Sequence, residues 1–314
     1  MRRPIVTVTP NPALDLTYHL SHLEAGGSNR VAQPSARAGG KGINVARVLQ
    51  KLGHPTLSVA PLGGPLAARI HSDCAASGLP LEAVSIAGHT RQTITIVDGR
   101  SNATVLNEAG PDLSQPEWTE LLSTVERKLV GAAALVVAGS LPGSTPPTMI
   151  SEFVSLAHRQ GVPCVVDTSG EALICAAVAQ ADVVKPNLAE LRQATGIENI
   201  EEASTALLEA GALRVVVSQG EDGLTAHDAT LHWHVGGLPV QQGNPTGAGD
   251  AAVAGLALAV ATKMAWSEGL RLACALGAAA ARQPTAGAVS PADVKALLPQ
   301  VRISSKRRAD TKPD

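Results

Sequence analysis

Six short runs of β-branched and small apolar residues set the frame of this 314-residue chain: IVTVT (5–9), LSVAPLG (57–63), ALVVAGS (134–140), PCVVDTS (163–169), DVVKPN (182–187) and RVVVSQG (214–220). Each is bounded by turn-forming residues, and most are continuously apolar rather than alternating. A strand that is apolar on both faces belongs in a parallel sheet covered on both sides. Between most of the runs lie stretches of helical length and period, including 42–53, 114–130 and 146–160. Strands alternating with helices predict βα units, and right-handed crossovers place the helices on both faces. One Phe, one Tyr and three Trp leave Ala, Val and Leu to fill the core, which suits Ala-rich helices against a sheet. The length fits one α/β domain over 1–303 with a small excursion.

Two regions, 14–38 and 90–110, alternate polar and apolar residues at period 2. They predict antiparallel strands with one wet face outside the main sheet, either a small β lid over the strand ends or a plain edge hairpin. Asp98-Gly99 marks a turn within the second. The charged tail SSKRRADTKPD, 304–314, is expected to be disordered. A net charge of −2 gives no long-range attraction for nucleic acid or an anionic membrane. Cys74, Cys164, Cys175 and Cys274 lie far apart and read as buried thiols of a reducing compartment. No stretch is long and apolar enough for a membrane span or a signal h-region, so a soluble cytoplasmic protein is expected.

Three segments carry candidate chemistry. In AGGKGINVARVLQKLG (38–53), Gly39, Gly40 and Gly42 let the backbone approach a ligand, Lys41 offers an ammonium, and Asn44 sits in the first turn of an amphipathic helix. In NPTGAGD (244–250), Gly247, Ala248 and Gly249 open a helix whose first amides lack partners and can converge on an anion. Asp250 beside them fits a general base that takes a proton from an attacking hydroxyl. The same segment also reads as a helix start capped by Thr246, with Asp250 on the helix dipole. In DVVKPNLAEL (182–191), Asn187 and Glu190 could hold Mg²⁺, usually through waters, or could simply form a capping box. SQGEDG (218–223) is a tight turn able to approach a nucleotide. Arg91 and Ser140 are further candidates, Arg91 for a phosphate. His232 and His234, at period 2 around Trp233, read as a wet strand face. A dinucleotide-binding oxidoreductase is disfavoured, because VTPNPALD rather than G-x-G-x-x-G follows the first strand.

In this order the motifs resemble the PfkB carbohydrate kinase family, with its ribokinase-like fold: AGGKGINVA, KPN-x-x-E, S-x-G-x-x-G and NPTGAGD. NPALD, GGKG, TRQT (90–93), GSLP (139–142) and DTSGEAL (167–173) are similar to its phosphosugar branch, the 1-phosphofructokinases and tagatose-6-phosphate kinases. The resemblance implies a three-layer α/β/α sandwich with a mainly parallel sheet and a β-sheet lid. It implies ATP and Mg²⁺ as cofactors, with Asp250 as base and the amides of Gly247, Ala248 and Gly249 as anion hole. Asp15, Gly39, Gly40 and Asn44 would bind sugar hydroxyls, and Lys41, Arg91 and Ser140 the phosphate already on the substrate. Lys185, Asn187, Glu190, Ser218, Gly220 and Gly223 would serve Mg-ATP. The implied partners are a sugar phosphate and a second copy of the chain, paired through the lid. The implied reaction converts fructose 1-phosphate to fructose 1,6-bisphosphate; tagatose-6-phosphate kinase, 6-phosphofructokinase and a non-catalytic sugar-phosphate sensor are the alternatives. Asn244 and Pro245 depart from the family's usual Asp-Thr, and NEAGP leans toward the tagatose type.

Overall fold

Strand β1 (Ile5–Val8) is buried along its whole length in the middle of a ten-stranded sheet. The computed structural model describes residues 2–31, 33–98, 103–239, 246–283 and 285–308. The chain continues through β2 (Ala13–His19), β3 (Ser35–Gly39), α1 (Lys41–Lys51), β4 (Thr56–Leu62), α2 (Gly64–Ala76), β5 (Leu81–Ser85), β6 (Arg91–Val97), β7 (Ala103–Asn107) and α3 (Gln115–Leu129). Then follow β8 (Ala134–Ala138), α4 (Met149–Arg159), β9 (Cys164–Asp167), α5 (Glu171–Val178), β10 (Val183–Val184), α6 (Leu188–Thr195), α7 (Ile200–Ala210) and β11 (Val215–Ser218). The last elements are β12 (Gly223–His227), β13 (Leu231–Gly236), α8 (Ala248–Thr262), α9 (Trp266–Ala281), α10 (Pro291–Leu297) and β14 (Ile303–Arg307).

The large sheet has the order β14-β13-β12-β11-β10-β9-β8-β1-β4-β5. All neighbours from β11 to β5 are parallel, and all six continuous apolar runs lie in that part. Strands β11 to β14 pair antiparallel. Side chains of β8 alternate between layers: Ala134, Val136 and Ala138 pack with α1, α8 and α9, while Leu135 and Val137 pack with α3, α4 and α5. The ends of the helices are locally specified. At the start of α3, Glu117 Oε2 accepts from the Ser114 amide at 2.7 Å, completing a capping box.

The two alternating segments meet in a separate four-stranded sheet of order β3-β2-β6-β7. Its outer pairs are antiparallel, but β2 and β6 run parallel. The expectation of purely antiparallel strands is therefore corrected. Between β2 and β6 the chain passes through β3, α1, β4, α2 and β5, so no hairpin joins them. The described residues of 20–34 form no strand, and Gly99 of the turn signal lies outside the described residues. Leu14 and Ala38 at the root of this sheet pack with Ile43 of α1 and Ile70 of α2.

The tail also departs from expectation. Residues 304–307 extend β14 along β13, in register from Val235↔Ile303 to Leu231↔Arg307. Lys306 Nζ reaches Glu201 Oε2 at 3.0 Å, and such charge is a common feature of a sheet edge. Residues 309–314 lie outside the described part. His232 is buried beside His227 under Glu201 of α7, whereas His234 is exposed, so only half of the expected wet face is wet. The four cysteines are free; Cys175 is half-buried and the other three are buried. Among the described residues no helix is long and apolar enough to cross a membrane.

Phe153 of α4 is fully buried, with its ring 6.4 Å from Trp118 in an edge-on contact. Phe153→Ala is expected to lower stability by about 3–5 kcal/mol, read as a lower urea midpoint with an unchanged slope.

Candidate active site

Helix α8 starts without a side-chain cap. Gly247 holds the N-cap position in the left-handed region, φ 87°, and a Cβ there would fall 2.9 Å from the Cα of Ala286. Gly247 rather than Thr246 therefore stands at the N-cap, and a helix start of this kind offers its first amides to an acceptor. Asp250 follows in the first turn, 6% exposed. The Asn44 amide of α1 donates to its Oδ2 at 2.8 Å. Burial, together with the nearby Asp167 carboxylate, pushes Asp250 up to about 6; Lys41, the Asn44 bond and Lys185 act in the opposite sense.

Asp167, at the end of β9, organises the charges around that carboxylate. Lys41 Nζ donates to its Oδ1 at 2.7 Å, and Lys185 Nζ lies 3.3 Å from its Oδ2. Burial alone would raise Asp167, yet Lys185 and Lys41 outweigh it and hold the carboxyl below its ordinary value. Lys41 also stands 3.4 Å from Glu190 Oε1. Burial pushes Lys41 down, but Asp167, Glu190 and Asp250 together keep it above its ordinary value. Lys41, expected on the substrate's phosphate, lines both cavities and is bonded to Asp167 in the wall between them.

The first cavity, about 540 Å³, is lined by Lys185, Asn187, Glu190, Ser218, Gly220 and Gly223 together with Ala248, Gly249 and Asp250. Leu224, Leu238 and Ala273 give it an apolar end. Asn187 and Glu190 do form the capping box of α6: Asn187 Oδ1 accepts from the Glu190 amide and Glu190 Oε2 from the Asn187 amide, both at 2.8 Å. That leaves Glu190 Oε1 toward Lys41 and the cavity, so the cap and a ligand role are compatible. The donor set offered here, carboxylate and amide oxygens beside two ammonium groups, fits Mg²⁺ and a polyphosphate. The 3₁₀ turn Gly220–Asp222 after β11 gives a close backbone approach.

The second cavity, about 650 Å³, shares Lys41, Glu190, Gly247 and Asp250 with the first. It adds Asp15, Gly40, Asn44, Arg91 and Ser140. Gly39 does not line it. A Cβ on Gly39 would overlap Asp15 Oδ2, so its contribution is to make room for that carboxylate. Asp15 is raised to about 6, chiefly by burial, with Arg91 pulling it down and Asp250 pushing it up. Arg91 is braced by the backbone: Nε and Nη2 donate to the Asn11 carbonyl at 3.3 and 3.2 Å, and Nη1 to the Glu108 carbonyl at 3.1 Å. Asn11 Nδ2 reaches Ser140 Oγ at 3.3 Å.

Sequence reasoning overlooked Asn11, Arg37 and Asp167. Asp167 had one legible signal, a carboxylate at the carboxyl end of a parallel strand, where α/β proteins place ligands. The partners that give it meaning lie 126 and 18 residues away, at Lys41 and Lys185.

Two cavities meeting at a buried carboxylate and a pair of ammonium groups, above the carboxyl ends of a parallel sheet, define a two-substrate transferase. The family model of the pfkB family carbohydrate kinases matches residues 9–293, and the chain belongs to that family. It is a sugar kinase, a phosphotransferase that uses ATP with Mg²⁺. Phosphofructokinase-2 from Escherichia coli, in a structure with fructose-6-phosphate, is 30% identical over 95% of this chain and 99% of its own, with a TM-score of 0.86. A possible 1-phosphofructokinase from Thermotoga maritima shares the fold at 24% identity, TM-score 0.86, over 97% and 99% of the two chains. Ribokinase from Arabidopsis thaliana, complexed with ribose and ATP, shares it at 22% identity and TM-score 0.74, over 95% and 99%.

Asn44→Ala removes a bond that favours the ionised form of Asp250. Losing a hydrogen bond to a charged group costs about 1.5–3 kcal/mol, so turnover should fall by roughly tenfold or more. The acidic limb of the pH–rate profile should move to higher pH than in the parent enzyme.

Proposed function

We propose that the chain phosphorylates a ketohexose monophosphate, and that fructose 1-phosphate, phosphorylated on O6, is its substrate. The observation that carries the reading is Asp250, a buried carboxylate on the wall shared by both cavities, with a proton affinity shifted toward neutrality. A group that only bound an anion would gain nothing from a negative charge there. A base that accepts the proton of an attacking hydroxyl does. Three cationic side chains, Arg37, Lys41 and Arg91, line the second cavity beside Asp15 and support an already phosphorylated sugar.

In this mechanism Asp15 and Asn44 orient the sugar hydroxyls, with Gly39 and Gly40 allowing its close approach, and Arg91 with Ser140 holds the existing phosphate. Asp250 accepts the proton of the hydroxyl while Asn44 fixes its carboxylate. The amides of Gly247, Ala248 and Gly249 stabilise charge on the transferred group, and the ammonium groups of Lys41 and Lys185, held by Asp167, offset its negative charge. Ser218, Gly220 and Gly223 would receive the nucleotide, and Asn187 and Glu190 the Mg²⁺ through water, which neutralises phosphate charge when bound. The small sheet, as lid, would close over the sugar and exclude water. Its exposed edge, with Val105 41% and Leu106 54% exposed, supports pairing with a second copy. Four free cysteines suit a reducing cytoplasm. A 6-phosphofructokinase reading is favoured by one observation, the 30% identity to phosphofructokinase-2.

An ADP-release assay with fructose 1-phosphate, fructose 6-phosphate, tagatose 6-phosphate and unphosphorylated sugars separates these readings. Turnover is expected to be greatest with fructose 1-phosphate and least with neutral sugars; equal turnover of neutral sugars would remove the phosphate roles, and binding without ADP release would favour a sensor. Asp250→Asn should lower kcat by about 10²–10⁴-fold with little change in sugar binding. In the parent enzyme kcat/KM should rise with pH as Asp250 ionises, through about pH 6, and then level.

A further inference from the structure

Arg37 of β3 faces Asp15 across the small sheet and is half-buried at the rim of the second cavity. Its guanidinium reaches away from that sheet. Nη1 donates to Thr285 Oγ1 at 3.2 Å and to the Ala286 carbonyl at 2.9 Å. The loop it grips touches the transfer site at two points. Ala286 packs where a side chain on Gly247 would be, 2.9 Å from that Cβ position, so the loop backs the uncapped start of α8. Gly287, φ 68°, leaves room for Asn44: a Cβ on Gly287 would come 2.8 Å from Asn44 Oδ1 and 3.1 Å from its Cα. Asn44 in turn holds Asp250. One arginine thus links the small sheet to the backing of the anion hole and to the residue that orients the carboxylate.

We infer that Arg37 is a positioning residue that couples the placement of the small sheet to the geometry of the transfer site through residues 285–287. The sugar binds against β2, β3 and β6, and fixing these strands fixes Arg37. Arg37 holds Thr285 and Ala286, and the loop holds Gly247 and Asn44 where the proton is taken and the charge stabilised. A sugar in place therefore completes the transfer site, and an empty second cavity leaves it looser. A guanidinium suits this role because it is planar and always charged, so its grip on a carbonyl and a hydroxyl does not vary with pH. The inference rests on the reading of Asp250 as base, and its test is chosen to separate the two.

The test is hydrogen–deuterium exchange on the full chain, parent against Arg37→Gln, over the amides of 246–251 and 285–288. Without sugar, both segments should exchange faster in the variant; this comparison stands whichever sugar is the substrate. With fructose 1-phosphate, or fructose 6-phosphate if that is the one turned over, the parent should gain protection at 285–288. Arg37→Gln should lose that gain while keeping protection in β2 and β6. Its kcat should fall by about tenfold or more, since small misplacements of reacting groups are costly, with the KM for ATP within about twofold. Arg37→Lys should restore part of kcat, and Thr285→Val, which removes one acceptor, should reproduce the loss in weaker form if Arg37→Gln folds poorly. Unchanged kcat in Arg37→Gln, or sugar protection at 285–288 equal to the parent's, would overturn the coupling. Loss of kcat that Arg37→Lys does not relieve, accompanied by a general loss of stability, would also overturn it.

Discussion

Everything at the transfer site depends on one buried carboxylate held between two ammonium groups. Asp167 could not stay ionised alone at the end of β9, because the cost of taking a charge out of water is several kcal/mol. Lys41 and Lys185 offset that cost, and in doing so are themselves fixed. The same carboxylate pushes on Asp250, whose proton affinity is raised by burial first and by Asp167 next. One interaction therefore fixes two cations and raises the proton affinity of a second carboxylate. Removing either lysine would leave a buried charge with incomplete compensation, so the cluster stands or falls together.

The fold supplies this arrangement from distant places. Asp167 and Lys185 come from the ends of β9 and β10, neighbours in the parallel sheet. Lys41 begins α1 and Asp250 lies in the first turn of α8, two helices in the same layer. The carboxyl ends of parallel strands and the starts of the helices that follow share one edge of such a sheet, so charged residues there converge without any strand being long. The small sheet adds a face bearing Asp15, Arg37 and Arg91 over the second cavity.

How much of this could be read in the residues follows from range. The parallel core was legible because runs such as ALVVA and CVVD are apolar on both faces, and few architectures other than a helix-covered parallel sheet bury a short strand that way. Strands β12 to β14 were harder: His232, His234, Ser304 and Lys306 interrupt the apolar pattern, and only pairing with neighbours makes them strands. The parallel pairing of β2 and β6 is set by chain routing, which no local alternation records. Asp250 and the glycines before it could be singled out by composition, but not whether they formed a cap or a site. In the structure Gly247, not Thr246, stands at the N-cap, in the left-handed region. For Asn187 and Glu190 the capping box is present, and it leaves the second Glu190 oxygen toward Lys41, so the two readings are compatible. Lys41 was noticed without its partner, because Asp167 is brought to it only in three dimensions. The pfkB assignment rests on order as well as content: each motif alone is ordinary, and their succession along residues 9–293 is not.

The central claim is that Asp250 is a buried carboxylate tuned to take a proton near neutrality. A titration of ¹³C-labelled aspartate carboxyls by NMR, with Asp250→Asn identifying the resonance, tests it directly. Titration at about pH 6 in the ligand-free enzyme is the predicted result. A resonance titrating near 4, in the range of an exposed aspartate, would contradict the account.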